Sequence, residues 1–355
     1  MEILHKAKEE IKYSCVLGPD DNWNLYIKRF SHLDIYYSRE YLQLFAKEQH
    51  GISEAIYYEN DDGKVFYPYI KREIQIKEGY FDTITPYGYG GPVLEGKQTV
   101  MKEFYDCFKA YCLKQNIITE TVCLHPLLNN VNDIKDVMPV DFLRKTTAVD
   151  LTLPLDDIRQ NYSSNNRRNI RKAIREGVQV TVTNKKEDII RFKELYDETM
   201  DRNNALSFYY FDKEYFFRQM EDTALSKSYL LTAKYNGKMI SGILLIIGQE
   251  YAHCHLVASK TEFLHLRPNN LLFDYMIEFS KTAGAKALHL GGGYKDHDSL
   301  FRFKTLFSNN NNFDYYLGKN IIDQKIYDEL SQAALAHSSA EKGERSFFPL
   351  YRKID

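Results

Sequence analysis

The feature that most restricts how this chain can fold is a strand running into three consecutive glycines and then into an amphipathic helix. Residues 287–290 are a short apolar run with buried-strand character, and His289-Leu290-Gly291-Gly292-Gly293 carries that run into glycine. No residue type bends a chain away from a strand end at lower steric cost. Apolar side chains then fall at Leu300, Phe301, Phe303, Leu306 and Phe307, which suits a short helix capped by Asp298 or Ser299. Lys304 sits on this helix among aromatics. An ammonium beside a strand–glycine–helix turn can stabilise an oxyanion or a phosphate. The alternative is an ordinary amphipathic helix whose lysine points at water.

Upstream, two halves show a similar order of elements. In the first, a helix is expected from Ser38 to about His50, and a hairpin turns at Asp61-Asp62-Gly63. A tyrosine–glycine loop follows at 86–92, then a helix over 100–114 and a strand over 117–125. In the second, a strand over 146–153 leads into helices, among them the basic stretch 163–175. There Ile170, Ala173 and Ile174 can face a core while Arg167, Arg168 and Arg171 face outward. A helix over 187–203, a meander over 228–256 turning at Asn236-Gly237, and a helix over 270–282 complete it. A helix over 324–336 closes the fold, and residues 338–355 have the character of a tail. The pattern is α+β with domains at 1–145 and 146–355, and 355 residues suffice for both cores.

Composition narrows the function. The net charge of −2 excludes a globally basic protein, so any nucleic-acid contact must use a local patch such as Arg167, Arg168 and Arg171. The 28 tyrosines suit polar ligands, and equally an AT-rich coding sequence. The charged N-terminus does not resemble a signal peptide, and no apolar run is long enough to span a bilayer. The five cysteines lack zinc-ligand spacing and point to a reducing cytoplasm. His253 and His255 share one face of a strand, but no neighbouring residue completes a metal site, so no metal is expected. Asp296 and Asp298 flank His297 as a capping segment or as acid–base groups. Nucleophile elbow, P-loop and dinucleotide fingerprint are absent, which leaves hydrolase, kinase and dehydrogenase chemistry unsupported.

Several stretches together resemble the Fem-type aminoacyltransferases and their GNAT-like relatives: Thr85-Pro86-Tyr87-Gly88-Tyr89-Gly90-Gly91-Pro92, the basic stretch 163–177, Arg267-Pro268-Asn269-Asn270-Leu271-Leu272, His289 to Gly293, and 298–307. The resemblance implies two tandem GNAT-like domains, each a mixed sheet flanked by helices. It implies transfer of an amino acid from aminoacyl-tRNA to an amine on a peptidoglycan or surface-glycan precursor. No metal or organic cofactor is implied; charged tRNA is the co-substrate, a nucleotide- or lipid-linked envelope precursor the acceptor, and no stable protein partner is expected. By the same resemblance, Phe303 and Lys304 form the final motif, whose lysine stabilises charge as the amine attacks. Arg202 with Tyr210, or Tyr209 in its place, grips acceptor phosphates, and Tyr87 and Tyr89 line the acceptor site. His255 is a candidate base or hydrogen-bonding group.

Two departures matter: the long helical hairpin of some members is missing, and the loop from Tyr87 to Pro92 differs from that of the peptidoglycan enzymes, which speaks against a muropeptide acceptor. Measured against CoA-dependent acyltransferases, Pro268, Asn269 and Asn270 replace the small residues that follow Arg267 in a CoA pyrophosphate loop. An acyl-CoA-dependent amino-sugar N-acyltransferase, with Arg267 and Asn269 at the CoA, is the alternative enzyme. A non-catalytic module holding a nucleotide sugar or a protein is the alternative of another class.

Overall fold

A computed structural model describes residues 13–295, 298–337 and 347–353. Its strands are β1 (Tyr13–Leu17), β2 (Gly51–Asn60), β3 (Gly63–Glu73), β4 (Phe81–Ile84), β5 (Val93–Gly96), β6 (Ile117–Cys123), β7 (Val140–Asp150), β8 (Gln179–Thr183), β9 (Lys227–Tyr235), β10 (Lys238–Ile247), β11 (Tyr251–Ser259), β12 (Ala287–Gly292) and β13 (Asn312–Ile321). The chain divides into two compact units. Unit 1 comprises residues 1–31, 45–141 and 316–355; unit 2 comprises 32–44 and 142–315. The units change over at 141/142, and 32–44 and 316–355 cross over in sequence.

In unit 1 the strand order is β1-β2-β3-β4-β6-β13, with β5 also on β3; β4–β6 is the parallel pair. The β2–β3 hairpin closes from Asn60 to Gly63 around two aspartates, as their turn chemistry predicts. The helix Gln98–Lys114 buries Val100, Met101, Phe104, Tyr105, Phe108 and Cys112, the period of one helix face. Tyrosines fill much of this core, and Tyr57, Tyr67 and Tyr69 are fully buried.

The hydroxyls of that core enclose a carboxyl group. Glu120 on β6 is completely buried; its side chain accepts from Tyr105 at 3.3 Å and from Asn320 at 3.0 Å. Burial pushes its pKa up from 4.5 to about 7, opposed by the hydrogen bonds of Asn320 and Tyr105. Because the folded state holds this proton more tightly than the unfolded chain, its contribution to stability is fully present below pH 4.5. It is lost as pH rises to about 7, by on the order of 3 kcal/mol. Glu120→Gln is expected to flatten that slope, measured by denaturant unfolding at pH 5 and 8 through the fluorescence of Trp23, the chain's single tryptophan, buried in unit 1. An unchanged slope would refute the assignment.

The expected C-terminal tail is partly a docked segment. Tyr351 is buried and its hydroxyl bonds to Thr119 at 2.7 Å and to Asp82 at 3.2 Å, adding a donor to a buried carboxylate on β4 that Arg72 on β3 satisfies only in part. Residues 338–346, 354 and 355 lie outside the described residues.

In unit 2 the order is β7-β12-β11-β10-β9-β8, with β11–β12 parallel. Asn236 and Gly237 both take positive φ and make the tight β9–β10 turn. The helix Pro268–Thr282 packs on this sheet, and Leu272, Phe273, Met276 and Ile277 enter its core. In the helix Ser164–Arg175, Ile170 and Ala173 are buried, but Ile174 is 58% exposed. The core face ends a residue earlier than expected because Ile174 lies on the far side of the final turn. The longest helices have 17 residues, so no extended helical hairpin occurs among the described residues. No described helix is long and apolar enough to cross a membrane.

Candidate active site

The site in unit 2 forms where two parallel strands part. β11 and β12 pair at Tyr251–Ala287, Ala252–Leu288 and His253–His289, and no further, although β11 continues to Ser259. Bulges accompany the divergence. On β11 His255 is the extra residue between Cys254, opposite Leu245, and Leu256, opposite Leu244. On β12 the register against β7 shifts between His289 and Gly291. Such irregularities re-aim side chains next to functional sites.

Gly291 takes φ +76° as the strand turns away, and a Cβ on Gly293 would overlap the Asp298 carboxylate. That carboxylate ties the turn together. One oxygen accepts from Phe301 N at 2.8 Å as the N-cap of the helix Ser299–Ser308; the other accepts from Tyr294 N at 2.6 Å and Lys295 N at 3.1 Å. These amides lower its pKa against the opposing effect of burial. Asp296 and His297 lie outside the described residues.

The helix is anchored from below as well. Buried Asn166 donates to Leu306 O at 3.2 Å and accepts from Asn270 at 2.9 Å, so one amide links three helices. Phe303 packs on Phe273 and Phe307, with ring centres 5.1 and 5.5 Å away. This packing turns half-buried Lys304 toward β12, and its Nζ donates to Gly292 O at 2.7 Å. Burial lowers its pKa, with Arg144 adding to the effect and Cys254 and Asp298 opposing it. The neighbouring Cys254 thiol is pushed up to about 11 by burial, while Lys304 draws it back.

The remaining candidates have definite places. His255 bonds through Nε2 to the Tyr215 hydroxyl at 2.6 Å; burial and then nearby His253 bring it down to about 3, so it is neutral at physiological pH. Arg202 donates to Ser259 O and Thr261 Oγ1, both at 2.8 Å. Tyr210 donates to Asp201 at 2.8 Å, and no bond joins it to Arg202. Tyr209 instead meets Tyr294 with ring centres 5.8 Å apart and the rings tilted by 54°, in the field of Arg144. Arg267 is exposed in a left-handed conformation before the helix Pro268–Thr282, and Asn269 Oδ1 accepts from Ser241 at 2.6 Å. Arg167 is spent on the carbonyls of Gln160 and Tyr162, whereas Arg168 and Arg171 are exposed. Tyr87 and Tyr89 belong to unit 1, where they pack on Phe45 and His125 at 5.5 and 5.7 Å. Arg144 and Tyr294 escaped the sequence reading: they meet only through tertiary structure, and no spacing signals them.

Residues 160–304, which hold most of this site, match the family of acetyltransferase (GNAT) domains. The fold is shared with a crystal structure of FemX, at 14% identity over 86% of this chain and 96% of that one, TM-score 0.66. It is also shared with L-PGS from Bacillus licheniformis, at 14% identity over 81% and 93%, TM-score 0.51. A tandem GNAT protein from the clavulanic acid biosynthesis pathway matches at 9% identity over 87% and 98%, TM-score 0.50. A search of curated proteins finds no match in sequence. Residues 160–304 thus form a GNAT acetyltransferase-type domain, within the α+β tandem architecture expected from the sequence. Within that class the chain has the Fem-type fold, aligned along nearly all of FemX.

Proposed function

We propose that the protein is an N-acyltransferase that moves an aminoacyl group from charged tRNA to an amine on a cell-envelope precursor, nucleotide- or lipid-linked, in the cytoplasm. The observation that carries this reading is the Lys304 ammonium. It is half-buried, it spends one N–H on Gly292 O, and an ammonium has three, so two remain for a reacting carbonyl oxygen. The acceptor nitrogen attacks the ester carbonyl and a C–N bond forms. The ester C–O bond breaks, and the proton lost from nitrogen ends on the leaving ribose oxygen. In the tetrahedral intermediate the negative oxygen faces Lys304.

The helix start at Pro268 supports tRNA over CoA as donor. A pyrophosphate cradle needs free backbone amides at a helix N-terminus; proline has none, and the Asn269 side chain is bonded to Ser241. One observation favours the acyl-CoA reading. Beyond His253 the edge of β11 is not paired to β12, and an extended amide-bearing arm could add along it. The test is transfer of labelled amino acid from charged tRNA to an amine-bearing envelope precursor, beside a thermal shift with CoA. Amine-dependent deacylation without stabilisation by CoA is expected; stabilisation by CoA with inert tRNA would overturn the tRNA donor.

A further inference from the structure

The mechanism above employs Lys304 and leaves a second cation beside it unexplained. Arg144 on β7 is half-buried; it donates to Tyr294 O at 2.9 Å and lies 5.7 Å from the centre of the Tyr315 ring. Among the described residues no carboxylate pairs with it. It runs alongside Gly292, where a Cβ would stand 3.4 Å from Arg144 Cδ. Gly292 therefore has Lys304 on its carbonyl and Arg144 at its α-carbon. Two partly desolvated cations on one residue repel each other, and an anion placed between them removes that cost.

Beside Arg144 lies a shelf of rings. Phe208 is 57% and Tyr294 49% exposed, unusual for side chains of this size. Phe208 contacts Tyr209 at 4.0 Å between ring centres, and Tyr209 contacts Tyr294 at 5.8 Å. Burial and then Tyr294 raise the pKa of the Tyr209 hydroxyl, and Arg144 opposes that rise. Exposed rings beside a guanidinium match the needs of an unstacked nucleotide, whose base stacks and whose phosphate takes the charge.

We propose that Phe208, Tyr209 and Tyr294 together with Arg144 form a nucleotide-binding site beside Lys304, with the base on the rings and a phosphate on the guanidinium. The inference rests on the acyl-transfer reading, which supplies a substrate with a nucleotide end. That end belongs to the tRNA 3′ terminus, to CoA or to a nucleotide-linked acceptor; the chemistry recognised is the same.

The test is titration calorimetry of the full chain with three probes: a single-stranded RNA trinucleotide ending in CCA, CoA, and UDP-N-acetylglucosamine. One probe is expected to bind, which names the source. Arg144→Ala should weaken it about tenfold and reduce the salt dependence by roughly one phosphate contact. Phe208→Ser should weaken it about five- to tenfold, and Arg144→Lys should keep the salt dependence while losing affinity. If Arg144→Ala proves unfolded by its melting curve, Arg144→Lys and Phe208→Ser decide the question. Absence of binding by all three probes, or a bound probe indifferent to these substitutions, overturns the site. Lys304→Met separates the two ideas: it should lower transfer about 10²- to 10³-fold, while the bound probe stays sensitive to Arg144→Lys and Phe208→Ser. Absence of transfer by the parent protein sinks the acyl-transfer reading, and full transfer by Lys304→Met removes only Lys304 from the mechanism; the probe titrations decide the nucleotide site in either case.

Discussion

Replacing Lys304 with methionine is expected to lower aminoacyl transfer by about 10²- to 10³-fold, the usual loss when one oxyanion donor is removed. The loss should fall on kcat with KM little changed, since the ammonium meets its oxyanion only as the tetrahedral centre forms. Stability should not fall. Burial lowers the proton affinity of Lys304 in the folded state, so its charge favours the unfolded chain at every pH below its ordinary 10.5. Methionine fills similar space without that charge, and its melting temperature should equal or exceed the parent's. Single-turnover transfer and a melting curve on the same preparation check both halves. Full transfer by Lys304→Met would show that a group other than Lys304 holds the oxyanion.

What was legible in the sequence was local. The β12 strand, its glycines, the Asp298 cap and the helix carrying Lys304 all follow from residues within about six positions of one another, where propensity and capping act directly. The Asp61-Asp62-Gly63 and Asn236-Gly237 turns were legible for the same reason. Which of two adjacent tyrosines approaches the site was not. Tyr209 and Tyr210 have equal sequence credentials, and only the short helical turn at Ser207–Tyr209 sends one to Tyr294 and the other to Asp201. Arg144 was invisible because its partners, Gly292, Tyr294 and Tyr315, lie about 150 or more positions away, and nothing local marks a tertiary meeting. The docked C-terminal segment failed for a related reason: Phe347 to Tyr351 is an aromatic run too short to carry a periodicity from which to read a single buried anchor.

That anchor supports the largest expected change in stability. Asp82 is fully buried on β4, and its two oxygens receive Arg72 Nε at 2.8 Å and Arg352 Nε at 2.7 Å, besides the Tyr351 hydroxyl. Arg352 also donates to Glu73 O at 2.7 Å. The arginine side chains are only 15% and 20% exposed, so they depend on the carboxylate for compensation. Asp82→Ala removes it and leaves two like charges facing each other in low dielectric, at a cost of about 3–5 kcal/mol to unit 1. Tyr351→Phe loses a hydroxyl alone and should cost only about 1 kcal/mol. Denaturant unfolding followed through Trp23 reports on this unit directly. A second substitution, Arg352→Leu, should restore part of the loss in the Asp82→Ala background, because it removes one of the stranded charges. If the Asp82→Ala midpoint matches that of Tyr351→Phe, the carboxylate is not what holds the segment, and apolar packing of Tyr351 against Ile74, Ile118 and Leu330 must do so.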